Sequence, residues 1–166
     1  MVDLRVTYME MTQPPVGPEV ARPVAGARVE RESLVQETYL RLYRAVGEPV
    51  QWDQRLRLTP EELENFLCST TTSLHVLRLQ GQPVGFCEFD GIGRPDIELT
   101  NFGLIPEAQG RKLGPYLLDR ALRAIWSYNP GRIWLHTDTN DHPKAQATYH
   151  RAGFRIYREH VENFPD

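Results

Sequence analysis

The chain has 166 residues, 40% of them hydrophobic and 25% charged, with a formal net charge of −3; this is the profile of one ordinary globular domain with room for a sizeable core. It excludes a membrane span and gives no electrostatic reason to expect nucleic acid as a partner, and charges interrupt the opening MVDLRVTYMEM too often for a signal peptide. Cys68 and Cys87 lie far apart and read as reduced, partly buried thiols, which fits a cytoplasmic protein.

Residues 2 to 11 read as a strand, with Val2, Leu4 and Val6 alternating against polar neighbours. The following QPPVGPEVARPVAG holds four of the 13 prolines and reads as a loop or irregular crossing. In ESLVQETYLRLYRAV, Leu34, Tyr39, Leu42, Tyr43 and Val46 take helical spacing, and Gly47 and Pro49 end the pattern. Thr59 begins a second, short helix: TPEE sets proline at the first helical position and Glu62 three residues on, a capping box. From residue 74 the period becomes strand-like. HVLRL, QGQ and PVGFCEF form a hairpin, PDIELTNFGLI a third strand, residues 111 to 127 a long helix, and RIWLHT another strand. A helix over 142 to 152 and a last strand, GFRIYREHV, complete the order β-β-β-α-β-α-β. That order predicts an α/β or α+β sheet with helices packed on its faces.

Two local features carry chemistry. In DIELTNFGLI the apolar residues fall first on Ile97 and Leu99 and then on Phe102 and Leu104. A strand alternates with period two, so the change of phase calls for one extra residue, a bulge near Thr100 or Asn101. The backbone groups that a bulge leaves unpaired can receive an extended ligand with amides of its own; a simple correction of twist would give the same pattern. The second feature is QGRKLG, residues 109 to 114, which leads straight into the long helix. The first four N–H groups of a helix have no intrahelical partners and can receive an anion. Gly110 and Gly114 remove bulk there, and Arg111 and Lys112 add positive charge. By itself a basic glycine turn is a weak signal, and neither GxxxxGK[ST] nor GxGxxG occurs.

The run Gln109-Gly110-Arg111-Lys112-Leu113-Gly114, preceded by Asn101-Phe102-Gly103-Leu104-Ile105-Pro106, resembles the acetyl-coenzyme A motif of the GNAT N-acetyltransferase superfamily, R/Q-x-x-G-x-G/A. DHPKAQATYHRAGF resembles the second hallmark, with Ala145, Tyr149, Gly153 and Phe154 in the matching places. The resemblance is strong over 74–161 and weaker over the amino-terminal third. It implies one N-acetyltransferase domain over 1–166, with its core at 74–161 and a variable acceptor-side region at 12–73. The implied fold is a mixed central sheet with splayed parallel strands and flanking helices. Two residues depart from the pattern: Lys112 stands at the first motif glycine, and His142 at the asparagine that opens the second motif.

By this resemblance the pantetheine arm of acetyl-coenzyme A lies between strands 96–105 and 132–137. The main chain of Phe102, Gly103 and Leu104 would pair with it, and the amides of residues 110 to 114, with Gln109 before them, would hold the pyrophosphate. Acetyl transfer to an amine needs a proton taken from the ammonium and a proton or dipole offered to the departing sulfur. Tyr149 is implied as the acid, although Ala145, Tyr149 and Ala152 share a helix face and burial alone would explain it. Glu98, which alternates away from Ile97 and Leu99, is the candidate base; it also reads as an anchor for the substrate ammonium or as a plain solvated carboxylate. Asp96 lies nearby, and Asn101 is placed to orient a water or to hold the bulge.

His75, His136, His142, His150 and His160 show no metal-ligand spacing, and His136 is the one that falls beside the cleft. Cys87 suggests an acyl-cysteine intermediate, but direct attack is the mode the resemblance implies. Trp52, Tyr39 and Tyr43 either line an acceptor pocket or pack in the core. The sequence leaves open a small amine, a protein or peptide amino group, and a non-catalytic acyl-coenzyme A-binding module. It also leaves open whether the protein is a dimer, a common state in this superfamily.

Overall fold

Apolar alternation is realised here as seven strands in one mixed sheet. The computed structural model describes residues 2–164; Met1, Pro165 and Asp166, the outermost positions of the expected 1–166 domain, lie outside the described residues. In chain order the elements are β1 (Val2–Met11), β2 (Ala27–Arg31), α1 (Gln36–Gly47), α2 (Pro60–Cys68), β3 (Thr72–Leu79), β4 (Gln82–Asp90), β5 (Asp96–Leu104), α3 (Leu113–Trp126), β6 (Arg132–Asp138), α4 (Ala145–Ala152) and β7 (Arg155–Phe164). Short 3-10 turns at Glu48–Val50 and Gln54–Arg57 join α1 to α2, and another at Pro106–Ala108 precedes α3.

The sheet order is β2-β3-β4-β5-β6-β1-β7. Only β5 and β6 run parallel; every other neighbouring pair is antiparallel. The first strand is therefore clasped between the last two, with Val6 opposite Asp138 on one side and His160 on the other. Its existence follows from alternation, but its place does not. The five residues of β2, of which only Ala27 is buried, lack an alternating signal; this strand at the edge of the sheet is an addition to the expected elements.

Apolar side chains cover both faces. On one, Leu113, Leu117, Leu118, Ala121, Leu122 and Ile125 of α3 pack on Phe89, Ile97, Leu99, Ile133 and Leu135. On the other, Tyr39, Leu42, Tyr43 and Val46 of α1 and Leu63 of α2 pack on Leu74, Val76 and Phe86. Each such side chain contributes roughly 1.5–3 kcal/mol of burial. The capping box forms as expected: Thr59 Oγ1 accepts from Glu62 N–H at 3.1 Å, and Glu62 Oε1 accepts from Thr59 N–H at 2.9 Å. The proline-rich crossing is held to α3 by Asp119, which accepts from Val20 N–H at 3.0 Å, and by Arg123, which donates to the carbonyls of Gly17 and Pro18 at 3.1 Å.

Two helices start later than their periodicity suggests. Gly110 (φ 78°) and Lys112 (φ 62°) take left-handed backbone, which a right-handed helix cannot include, so α3 begins at Leu113 rather than 111. Residues 142–144 form the turn that feeds α4, which begins at Ala145.

His75 is buried on β3 against Phe89, and its Nδ1 has no hydrogen-bond partner. Burial, with a smaller contribution from Arg31, pushes its pKa down to about 4 from an ordinary 6.5. Between these values the unfolded chain binds a proton that the folded protein refuses, so stability present above pH 6.5 is lost as pH falls toward 4. The loss is about 3 kcal/mol at most. Thermal midpoints measured from pH 7 to 4 are expected to fall, and His75→Leu is expected to flatten that slope.

Candidate active site

The site begins where β5 and β6 part. They pair at Asp96 with Arg132, Ile97 with Ile133 and Glu98 with Trp134; beyond these residues both strands continue, to Leu104 and Asp138, without pairing to each other. A wedge opens from Glu98 outward. On its other edge β5 stays paired to β4, and the register shifts there: Glu88 faces Asn101 while Phe89 faces Leu99, which leaves Thr100 as the extra residue. The bulge thus falls where the change of hydrophobic phase places it. It turns Thr100 and Asn101 to the α1 side and sends Phe102 and Leu104 to the α3 side, among the apolar side chains there.

The turn before α3 stands against this wedge. A Cβ on Gly114 would lie 3.8 Å from the Phe102 ring, so the first turn of α3 sits directly on the bulged strand. Gly110 faces open space, and Gln109, Arg111 and Lys112 are exposed, whereas Leu113 is buried in the core. His142 is also exposed; its Nδ1 accepts from Lys144 N–H at 3.1 Å, so the imidazole caps the turn into α4 as an asparagine side chain would. Gly103 shows how closely the α1 side approaches, because a Cβ there would lie 2.5 Å from Val46 Cγ1. Gly103→Ala is expected to destabilise the protein by about 1–3 kcal/mol through overpacking, read as a lower midpoint in urea.

Tyr149 projects from α4 into the same region, 8% exposed, with its ring 5.7 Å from that of Phe102 and 5.9 Å from that of Phe154. Burial first, and then the nearby Asp141 and Cys87, hold its proton well beyond the ordinary tyrosine range. Glu98 stands at the vertex of the wedge. Its side chain is 26% exposed and its carboxylate lies 3.8 Å from His136 Nε2. Burial raises its pKa; His136 and Arg55 oppose the shift, and Asp90 and Glu88 add to it. Asp96 pairs with Arg132 at 3.1 Å on the protein surface.

Of the three aromatic candidates in the acceptor-side region, Tyr39 and Tyr43 are core residues, each 1% exposed. Trp52 is different: it packs against Gly47, and its Nε1 approaches Asp141 Oδ1 at 3.5 Å, a link from the α1–α2 connection to the loop after β6. Cys68 is exposed rather than partly buried, and Cys87 is fully buried. The register puts His75 directly opposite Cys87, a neighbour that the sequence does not announce. Burial lowers the proton affinity of the imidazole and raises that of the thiol, so both are held neutral and no thiolate is activated. Among the described residues no cluster of three or more histidine, cysteine, aspartate or glutamate side chains could hold a metal ion. A surface depression of about 640 Å³ lies elsewhere, between the 12–20 segment, α3 and α4, and includes none of Glu98, Asn101 and Tyr149.

The residue that sequence reasoning missed is Glu88. It is fully buried, and its carboxylate accepts from Tyr39, Arg55, Thr100 and Asn101. A signal was present, since a carboxylate inside the otherwise unbroken run PVGFCEF must find partners if both faces of its strand are covered.

Solved structures share this architecture. A GCN5-related N-acetyltransferase from Sphaerobacter thermophilus is 22% identical with a TM-score of 0.66, over 95% of this chain and 50% of that one. A GNAT-family acetyltransferase from Novosphingobium aromaticivorans is 20% identical with a TM-score of 0.64, over 97% of this chain and 63% of that one. An aminoglycoside acetyltransferase from an uncultured soil metagenomic sample is 17% identical with a TM-score of 0.60, over 76% and 87%. At these identities the likeness concerns the fold, and the chain spans 50% and 63% of the first two proteins. No curated protein matches the chain. Residues 35–154, from the residue before α1 to the residue before β7, match the model of the acetyltransferase (GNAT) family. That match covers most of the sequence, and this chain therefore belongs to the acetyltransferase (GNAT) family.

Proposed function

We propose that the protein transfers an acetyl group from acetyl-coenzyme A to a primary amine by direct attack, with both substrates bound at once. The observation that carries this reading is the loss of β5–β6 pairing after Glu98, with Tyr149 and the first turn of α3 both set on the bulged strand that forms one wall of the wedge. The residues suit the cofactor. The edge of β5 that faces β6 is free of pairing from Phe102 through Leu104, so these groups would hold the pantetheine amides. The backbone amides of Gly110, Arg111, Lys112, Leu113 and Gly114 would hold the pyrophosphate, with Gln109, whose own N–H donates to the Pro106 carbonyl at 3.2 Å, just before them, and His142 would shape the neighbouring turn. When bound, acetyl-coenzyme A supplies an acyl carbon activated as a thioester and a thiolate as leaving group. Glu98 takes the proton that the ammonium must lose, at its carboxylate or through a water, and its raised proton affinity favours that uptake. Tyr149 keeps its hydroxyl proton and offers it toward the sulfur side of the cleft.

One observation favours an acceptor larger than a small metabolite. α1 and α2 pack on β3, β4 and β5, and the same face of β6, β1 and β7 carries no helix among the described residues. His136, 44% exposed, opens onto that face beside Trp134 and Tyr8. A protein or peptide amino group can approach over such a surface, which does not enclose a small amine.

The test is calorimetric titration with acetyl-coenzyme A and coenzyme A, followed by thiol release with a panel of small amines and lysine- or N-terminus-bearing peptides. Binding with turnover on one amine class supports the reading. Binding without turnover on any of them points to an acyl-coenzyme A-responsive module, and absence of binding overturns the proposal.

A further inference from the structure

We propose that Glu88 is a positioning residue for the transfer, a buried clamp that ties the bulge of β5 to the helical arm on the acceptor side. One of its two readouts rests on the reading of Glu98 as the base. The Glu88 side chain is completely buried, and its donors come from three separate segments. Tyr39 Oη of α1 donates at 2.6 Å, Arg55 Nη2 of the Gln54–Arg57 turn at 2.8 Å, and Asn101 Nδ2 of the bulge at 2.8 Å, with Thr100 Oγ1 the fourth. A buried carboxylate is tolerated only when it is satisfied in this way, and charge-assisted bonds of this kind fix geometry as well as charge.

Its position gives the clamp a functional reach. A bulge interrupts the ladder, so its side chains need acceptors outside the ordinary pairing. Glu88 lies directly opposite and supplies them to both Thr100 and Asn101. One residue beyond Asn101 is Phe102, which meets Tyr149 and opens the free edge of the wedge; two residues before Thr100 is Glu98. A shift of the bulge would therefore move the cofactor wall and the acid–base groups together. Arg55 is held in turn between Glu88 and the Phe66 ring, 4.1 Å from its guanidinium carbon. The charged groups that face Glu98 are His136 of β6, Asp90 and Glu88 of β4, and Arg55; His136 and Arg55 favour its carboxylate and the other two oppose it.

The experiment compares Glu88→Gln, Arg55→Met and the double variant with the parent, reading the pH dependence of kcat/KM, the dissociation constant of acetyl-coenzyme A and the thermal midpoint. In E88Q the glutamine loses the charge that holds Arg55 and presents a donor to a site built of donors. A fall in kcat/KM of at least about tenfold is expected. The acidic limb should move to lower pH in E88Q, where the Arg55 charge is left unopposed, and to higher pH in R55M, where the Glu88 charge is. The double variant should lie between them. Opposite shifts are a signature that loss of stability alone does not produce. Limbs that coincide with the parent's, with kcat/KM within about twofold, overturn the proposal.

Glu98→Gln separates this outcome from failure of the base assignment. If E98Q keeps the parent's acidic limb, that assignment is wrong and the acetyl-coenzyme A dissociation constant decides instead: a rise of about fivefold or more in E88Q supports the clamp, and an unchanged constant overturns it. Should E88Q not fold, Asn101→Ala and Tyr39→Phe, each removing a single donor, are judged on the same constant, with an increase in support and no change against.

Discussion

Tyr149→Phe is expected to lower kcat by about a hundredfold or more and to leave acetyl-coenzyme A affinity within about threefold. The ring is wedged between Phe102 and Phe154, so phenylalanine preserves the packing and removes only the hydroxyl. Burial and the charge of Asp141 keep that hydroxyl protonated throughout the working range, so the group lost is a proton donor, and neither limb of the pH profile should move. Stability gives the control: a buried hydroxyl contributes little when its partner is not a protein group, and the thermal midpoint should stay level or rise slightly. Full kcat in Y149F, measured by thiol release at saturating substrates, would make Tyr149 a core residue and nothing more.

Glu98→Gln should produce the other large effect, a fall in kcat/KM of roughly 10² to 10³ with loss of the acidic limb. The sign follows from the raised proton affinity of this carboxyl. As pH falls through its pKa the base takes up a proton and activity declines; glutamine has nothing to titrate. The same raised value has an opposite consequence for stability. Folding favours the protonated carboxyl, so its contribution is present below the unfolded-state pKa and is lost as pH rises through the folded value. Above the folded value the ionised side chain therefore costs stability, and there E98Q should melt somewhat higher than the parent while turning over far more slowly, the usual trade at a working site. A substitution that raised KM and spared kcat would instead make Glu98 an anchor for the acceptor ammonium, and one without kinetic effect would make it a solvated carboxylate.

The parts of this site legible in sequence are those written in local pattern. A change of phase between Leu99 and Phe102 can only be reconciled with a strand by an extra residue, and the structure supplies Thr100. Glycine and proline around 110–115 announce a helix entry, but not the left-handed Lys112 that delays it by two residues. What sequence hid depends on chain segments meeting at a distance. Tyr39 and Arg55 reach Glu88 across 49 and 33 residues, and nothing local in either one marks it as a partner. His75 meets Cys87 because a two-residue turn with a register shift sets the hairpin that way. Trp52 meets Asp141 across 89 residues of sequence.

The clasp of β1 between β6 and β7 has a consequence for the order of events during synthesis. Strand β1 is made long before both of its partners, with Met9 waiting for Leu135 and Ile156. Until then Leu4, Val6, Met9 and Met11, all buried in the finished protein, have no sheet to join. Meanwhile β2 to β5 with α1 to α3 can assemble from contacts nearer in sequence. Since β7 joins the sheet through β1 among the described residues, it cannot dock until β1 has been threaded in beside β6. Closure of this sheet is thus the most non-local and slowest kind of pairing. A nascent chain stalled before that step would present an open strand edge at β6, the sort of surface on which chaperones and aggregation compete.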